Sequence, residues 1–436
     1  MTTLSMGTKT WVLLNSRRTV NEIIAKRAAL THERPYFPIA GGLVSHQNKR
    51  LFLQKTEQWK HGRQLLRQMM MGPGSKAHDE IIEDASTGLL RALVEQPWAW
   101  YQHTYRYPVA IMHKIVTGSH LQKSSVELAD LQNVTSTFLT SINSSFVEFF
   151  PKLERLPRWL QFWRPHWESM GKYHYGVFKH WWNGWEDLAR PSAPPSFFRD
   201  AILKTYAHSE EQAMYVAMVS MAAGSDNPRM TLNALLMACL CYPDVASKGR
   251  SEIDRLCGAE RLPSLSDLPN LPYVCAMVKE VLRWRPTVPL VPQRVLVEDM
   301  EFEGYKFPRG TEFLVNTIAV CTSSDFEQPG DFIPERWLDD KEAPSTVAQE
   351  PWQFAFSAGK RSCIGYRLAQ KEIFLALARI LQCFDITARG AIDNTKLNAF
   401  SLGEPFPVQL TLRGSAYRDL VLAEKWHNTW GEDGTA

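Results

Sequence analysis

Phe356-Ser357-Ala358-Gly359-Lys360-Arg361-Ser362-Cys363-Ile364-Gly365 is the stretch on which the reading of this chain turns. It follows the pattern F-x-x-G-x-R-x-C-x-G, and a helix-like run from Tyr366 to Leu381 begins straight after it. Five fixed residues, one Cys and two Gly among them, match by chance in a chain of this length roughly once in ten thousand or less. A cysteine at the mouth of a helix has its thiol pKa lowered by the helix N-terminus. Gly359 and Gly365 permit a tight turn and close backbone approach. Arg361 offers a forked donor set to a carboxylate. The plain alternative makes Cys363 a buried structural thiol, a common fate of free cysteine. Motifs elsewhere in the chain weigh against it.

Upstream, Lys279-Glu280-Val281-Leu282-Arg283-Trp284-Arg285-Pro286 reads as a helix ended by its proline. Glu280 and Arg283 share one face of it. Alone, such a pair is most often a solvated surface contact worth little. Further on stands Pro334-Glu335-Arg336-Trp337. The order E-x-x-R, P-E-R-W, cysteine loop resembles the cytochrome P450 family, and the resemblance spreads over nearly the whole chain. It implies a mainly α fold with small β-sheets, and a haem b whose iron takes Cys363 as its axial thiolate. Such a thiolate pushes electron density toward bound oxygen. In that reading Phe356 shields the sulfur, Gly359 and Gly365 let the loop approach the macrocycle, and Arg361 reaches a haem propionate. Glu280, Arg283 and Arg336 would meet as a charged triad. A buried triad is costly unless fully hydrogen-bonded, so its use would be to fix the geometry behind the haem loop.

The resemblance extends to three further segments. Val288-Pro289-Leu290-Val291-Pro292-Gln293-Arg294-Val295 corresponds to a segment that lines the substrate pocket, and Arg294 to a propionate ligand. Trp59-Lys60-His61-Gly62-Arg63 is similar to a W-x-x-x-R helix that also clamps a propionate, through Trp59 and Arg63. Glu210 to Cys241 reads as a long apolar helix carrying Ala222-Ala223-Gly224-Ser225-Asp226-Asn227, similar to the family's A-G-x-D/E-T segment over the haem. Asp226 is then the acidic member of a proton-delivery pair. Its usual Thr partner is replaced by Asn227, which donates and accepts but has no relayable hydroxyl proton. Either Asn227 holds a water that does the job, or the chemistry is diverted toward coupling or ring closure; the plain alternative is a tolerated variant with ordinary monooxygenation. Pro228 should kink the helix.

Composition is that of a globular chain: 436 residues, 44% hydrophobic, 22% charged, net charge +3. Near-neutral charge gives no footprint for nucleic acid. Seven scattered cysteines without a C-x-x-C pair fit free thiols in a reducing compartment. We expect a single domain over residues 1–414 and a loose polar tail over 415–436. Lys9 to Leu14 should be a strand and Arg17 to Arg27 a helix, with the preceding strand of the small sheet and any membrane anchor missing. Residues 286–320 should be strand-rich, with a hairpin from Val295 to Val315 turning at Glu303-Gly304. Residues 321–365 form a meander and the haem loop, and Phe384 to Leu412 the last strands. Ala319-Val320-Cys321-Thr322-Ser323 departs from the family's A-x-H-x-D. The Trp-rich segment Glu154 to Trp185 is either an interfacial surface or core.

The resemblance implies a monooxygenase acting on a small hydrophobic substrate, of the microsomal kind and in the style of fungal secondary metabolism. Electrons would come from an NADPH-cytochrome P450 reductase, with cytochrome b5 as a second donor, to a monomer on the cytoplasmic face of the endoplasmic reticulum. The rivals are a haem-thiolate enzyme that couples, cyclises or desaturates, and a haem-binding protein without turnover.

Overall fold

The computed structural model describes the whole chain except residues 48, 73, 74, 76, 191, 194, 195, 339–353, 395–402, 428, 429 and 431–436. Part of the expected meander and of the last-strand region therefore lies outside the described residues.

Helices α1 (Arg17–Val20), α2 (Thr56–Met71), α3 (His78–Glu95), α4 (Trp100–Thr117), α5 (Ser125–Ser141), α6 (Phe146–Phe149) and α7 (Arg164–Asn183) precede the longest, α8 (Glu210–Cys241). After it come α9 (Pro243–Leu256), α10 (Pro272–Trp284), α11 (Thr317–Cys321), α12 (Tyr366–Cys383) and α13 (Ser415–Ala423). Local chemistry sets several of these ends. Ser124 and Glu127 form a reciprocal capping box at the start of α5. The Ser209 hydroxyl accepts the Gln212 N–H and so opens α8. Helix α8 runs unbroken through Pro228.

The core is helical. Helix α8 packs most extensively on α4, and α12 lies against α3, α9 and α8. Apolar residues of all these helices make one continuous buried cluster, from Leu65 to Trp430. A second cluster underlies a small four-stranded sheet, ordered β1 (Thr2–Met6), β2 (Lys9–Leu14), β6 (Glu312–Val315), β3 (Arg294–Val295). Strands β2 and β6 pair in parallel, and the Trp11 indole donates to Glu312 at 2.8 Å across them.

The expected hairpin is present in two parts. Arg294 pairs with Phe313 and Val295 with Glu312, while β4 (Met300–Phe302) and β5 (Tyr305–Phe307) close at Glu303-Gly304. Strands β7 (Phe384–Ala388) and β8 (Val408–Leu412) pair antiparallel.

Three expectations need correction. The strand thought missing is there: Thr2–Met6 folds back on Lys9–Leu14 through a turn at Gly7. Helix α1 gives way after Val20 to a wider π-helical segment, Asn21–Ala25. Nor are the described residues after Gly414 loose. Helix α13 buries Val421 against α3, and Trp430 is buried with its carbonyl accepting from Arg106 at 2.6 Å. Polar composition hid this because a few apolar residues suffice to dock a short helix.

The Trp-rich segment divides. Trp163, Trp181, Trp182 and Trp185 are buried, whereas Trp159 and Phe162 are 81% and 77% exposed.

Candidate active site

The cysteine loop is held by its own backbone and by a close approach. The Cys363 N–H donates to the Phe356 carbonyl at 2.8 Å, and the Ser362 N–H to Gly359 at 3.1 Å. Gly359 has φ +66°, and a Cβ there would stand 2.5 Å from the Ile24 carbonyl oxygen. Only glycine tolerates both conditions, so Gly359 is required by the seam with the Asn21–Ala25 segment. A Cβ on Gly365 would meet no protein atom within 4 Å. Phe356 is buried and packs edge-on to Tyr366 at 6.2 Å. Cys363 presents open surface. Desolvation by the surrounding loop raises its thiol pKa, opposed by the Gly365 backbone and by the Arg63 cation.

Around this loop four arginines converge. Arg63 donates to the Ser362 carbonyl at 2.7 Å and lies over Trp59. Arg361 lies over the same indole at 4.4 Å and donates to the carbonyls of His32 and Gln54. Arg294 donates to the Ser357 hydroxyl at 2.9 Å. Arg34, which carries no motif and was not foreseen, donates to the Gln293 carbonyl at 2.6 Å and is also buried. Burial and mutual repulsion push Arg294 down to about 9, and burial pushes Arg361 down to about 10. A guanidinium nonetheless stays charged at neutral pH. Glu33 is the carboxylate that offsets Arg34 and Arg361. Arg294 Nε and Arg361 Nη1 are buried without a hydrogen-bond partner. Buried donors and charges in excess of their partners are costly, and they suit a ligand that brings two carboxylates.

The expected triad is assembled. Glu280 is fully buried and accepts from Arg283 Nε and Nη2 at 2.9 and 2.7 Å and from Arg336 Nε at 3.1 Å. The Ile333 N–H and the Trp337 indole complete its shell at 2.9 and 2.8 Å. Arg283 in turn donates to the carbonyls of Cys321, Pro329 and Asp331.

Helix α8 opens at one turn. From Ala213 to Cys239 every residue is buried except Ala223, Gly224 and Asn227. A Cβ on Gly224 would stand 2.6 Å from the Met112 sulfur, so glycine lets α4 approach at this turn. The Asn227 amide donates to the Ala223 carbonyl at 3.1 Å. Asp226 does not share this exposure. It is buried in an ion pair with Arg229 at 2.7 Å, and burial raises its pKa against that cation. Arg229 was also missed, although its i,i+3 spacing from Asp226 was a legible signal.

A family model described as Cytochrome P450 matches residues 1–407. The cytochrome P450 monooxygenase virE of Hypocrea virens is 28% identical, over 98% of this chain and 82% of its own length. The cytochrome P450 monooxygenase fogE of Aspergillus ruber is 28% identical over 91% of this chain and 76% of its own. A solved zebrafish cytochrome P450, described as a structure with progesterone, superposes with a TM-score of 0.76. At 22% identity, over 94% of this chain and 96% of that one, it shows likeness of fold.

Proposed function

The chain belongs to the cytochrome P450 family and is a cytochrome P450 monooxygenase like its named fungal relatives, and on that premise we propose that it oxidises a small apolar intermediate of secondary metabolism with dioxygen. The observation that carries the reading is the arginine cluster beside the cysteine loop. Arg63, Arg294 and Arg361 would hold the propionates of a haem, with Trp59 as the flat surface under two of them. When bound through Cys363, such a haem would supply iron for oxygen activation, with the thiolate of this chain as an electron-donating ligand. With the haem in place, buried Phe356 would help shield the sulfur from water and so hold the local dielectric low. Gly365 leaves room for close approach.

On the other side, Ala223, Gly224 and Asn227 form the open turn of α8. Asn227, with its amide committed to the Ala223 carbonyl, keeps one N–H and its carbonyl oxygen to order a water. A second reading, oxidative coupling or ring closure without oxygen insertion, is favoured by the same residue, because it lacks the hydroxyl of the usual Thr.

Electrons would arrive from an NADPH-dependent reductase or cytochrome b5. Exposed Lys60, Arg67, Lys360 and Arg367 flank the cysteine loop and suit an acidic partner. Among the described residues no single helix is long and apolar enough to cross a membrane. Exposed Trp159 and Phe162, with Phe146, Phe150 and Leu160 on the same connection, would dock the chain on the cytoplasmic face of the endoplasmic reticulum.

The test is a reduced, carbonyl-bound spectrum followed by reductase-coupled turnover with labelled dioxygen. A red-shifted Soret band and label in the product support the proposal. A normal band overturns it, and an unlabelled oxidised product selects the second reading.

A further inference from the structure

Arg50 is a buried cation that no carboxylate balances. It is 2% exposed, and its guanidinium sits between two rings, 3.9 Å from the centre of Phe138 on α5 and 5.0 Å from that of Phe178 on α7. Nη2 donates to His174 Nδ1 at 3.1 Å. His174 Nε2 lies 2.8 Å from the Thr137 hydroxyl, which itself donates to the Asn133 carbonyl, so Nε2 carries the proton. His174 is therefore neutral, and burial, then the Arg50 cation, push its pKa down to about 3. Burial pushes Arg50 down to about 10, offset by the Tyr215 hydroxyl alone. Glu211, one turn before Tyr215 on α8, is taken by Lys49 and His46. Arg50 Nε and the Tyr215 hydroxyl oxygen are both buried without a hydrogen-bond partner.

A guanidinium stays charged at neutral pH, and a buried charge is costly unless it is paired and hydrogen-bonded. Aromatic faces attract the flat side of the cation but leave its hydrogen-bonding edge unfilled. The place matters as much as the charge. Gln212 of α8 donates to the Lys49 carbonyl at 3.5 Å, so the segment carrying Arg50 rests on that helix. Gln212 and Ala223 are separated by about three turns and share one helix face. Ala223 belongs to the open turn with Gly224 and Asn227. Tyr215 precedes Ala223 by about 12 Å along the helix axis at 1.5 Å per residue.

We propose that Arg50, with the Tyr215 hydroxyl, binds a carboxylate of the substrate, so that the substrate is an apolar acid anchored at one end and oxidised at the other, by the open turn of α8. A carboxylate brings two acceptor oxygens, which answer the unfilled Arg50 edge and the Tyr215 hydroxyl together. The apolar body would lie against the rings around Arg50. The inference rests on the haem-thiolate reading and names the substrate class for it.

The experiment titrates the ferric holoenzyme with ω-imidazolyl alkanoic acids of increasing chain length, and with the N-alkylimidazoles of matching length. The imidazole nitrogen takes the iron and shifts the Soret band, while the far end of the chain reports on Arg50. At the best length, the wild type should bind the acid about tenfold or more tightly than its neutral counterpart, as a charge-assisted hydrogen bond allows. Arg50→Gln keeps a donor for His174, so it should bind the neutral series within about twofold of wild type and lose the preference for acids. Tyr215→Phe should narrow the preference by about threefold. Arg50→Lys, which keeps the charge without the fork, should retain part of it. Acids that bind wild type no better than neutral chains overturn the proposal. So does an Arg50→Gln protein that loses both series equally and has a lowered thermal midpoint, because Arg50 would then be a strut between α5 and α7. If Arg50→Gln does not fold, Tyr215→Phe and Arg50→Lys decide, and an unchanged acid preference in both overturns the proposal. The haem-thiolate reading fails separately, if the reduced carbonyl complex of the wild type lacks the red-shifted band.

Discussion

Replacing Glu280 by Ala is the sharpest test of the architecture behind the cysteine loop. Glu280 is fully buried and accepts five hydrogen bonds, three of them from Arg283 and Arg336. Its removal leaves the Arg283 and Arg336 side chains, 2% and 12% exposed, without their carboxylate. Breaking a buried ion pair from one side costs on the order of 3–5 kcal/mol. The Ile333 N–H and the Trp337 indole also lose an acceptor, at about 1 kcal/mol or more each. Arg283 keeps three carbonyl acceptors, which softens the loss. A net destabilisation of about 5 kcal/mol is the reasonable sum, against a total stability of roughly 5–15. With an unfolding entropy near 2.1 cal/mol/K per residue, the thermal midpoint should fall by about 5 °C or more. Because Arg336 and Trp337 lie on the segment that leads toward the loop, haem content should fall with it. Calorimetry and the haem-to-protein absorbance ratio measure both. Glu280→Gln, which keeps an acceptor but no charge, should fall between. A Glu280→Ala protein with full haem and a midpoint within a degree of wild type would refute the triad's role.

Other substitutions test single residues. Cys363→Ala should abolish the red-shifted band of the reduced carbonyl complex; its persistence would move the axial ligand to another cysteine. Glu148 accepts the Ile39 and Ala40 N–H groups at 3.1 and 3.2 Å, yet burial outweighs these bonds and pushes its pKa up to about 7. The native state therefore holds an extra proton between about pH 4.5 and 7, and stability falls as pH rises through that window, by on the order of 3 kcal/mol. Glu148→Gln should be more stable than wild type to urea at pH 8 and equal to it below pH 4.5; a destabilised variant at pH 8 would contradict this. Asn227→Thr should keep the product and change peroxide release by less than about twofold. A new alcohol carrying oxygen from labelled dioxygen would instead show that the wild type couples or cyclises.

Much of the fold was legible because its elements carry strong local signals. The stretch from Glu210 to Cys241 is long, apolar and preceded by a capping Ser209, and it folds with those bounds. Glu303-Gly304 between β-rich runs gave the hairpin. The failures share a different cause. Thr2–Met6 is exposed along nearly its whole length and holds its place by backbone pairing to Lys9–Leu14, a partnership no side-chain pattern announces. The docking of α13 and Trp430 depends on partners some 300 residues away, such as Arg106. Asn21–Ala25 winds wider than an α-helix while the Ile24 carbonyl lies against Gly359, again a contact distant in sequence.

The site divides along the same line. Motif residues are read well where a motif fixes both identity and partner: Glu280 with Arg283 and Arg336 is the case in point, since i,i+3 spacing sets one bond and the P-E-R segment the other. Arg34 illustrates the opposite. Its role comes from lying beside Arg294 and Arg361 in a region short of carboxylates, and charge balance in three dimensions has no signature in a single sequence. Asp226 and Asn227 are the instructive pair. Adjacent helix residues point about 100° apart, so a motif that names both cannot say which one faces the chemistry. That choice is made by what surrounds each side chain. Asp226 is buried and tied to Arg229 within its own turn, and Asn227 is left partly exposed. Function at this turn therefore follows from packing as much as from residue type, and a Thr-to-Asn change on the open face should alter the ordering of water more than any change to the acid beside it.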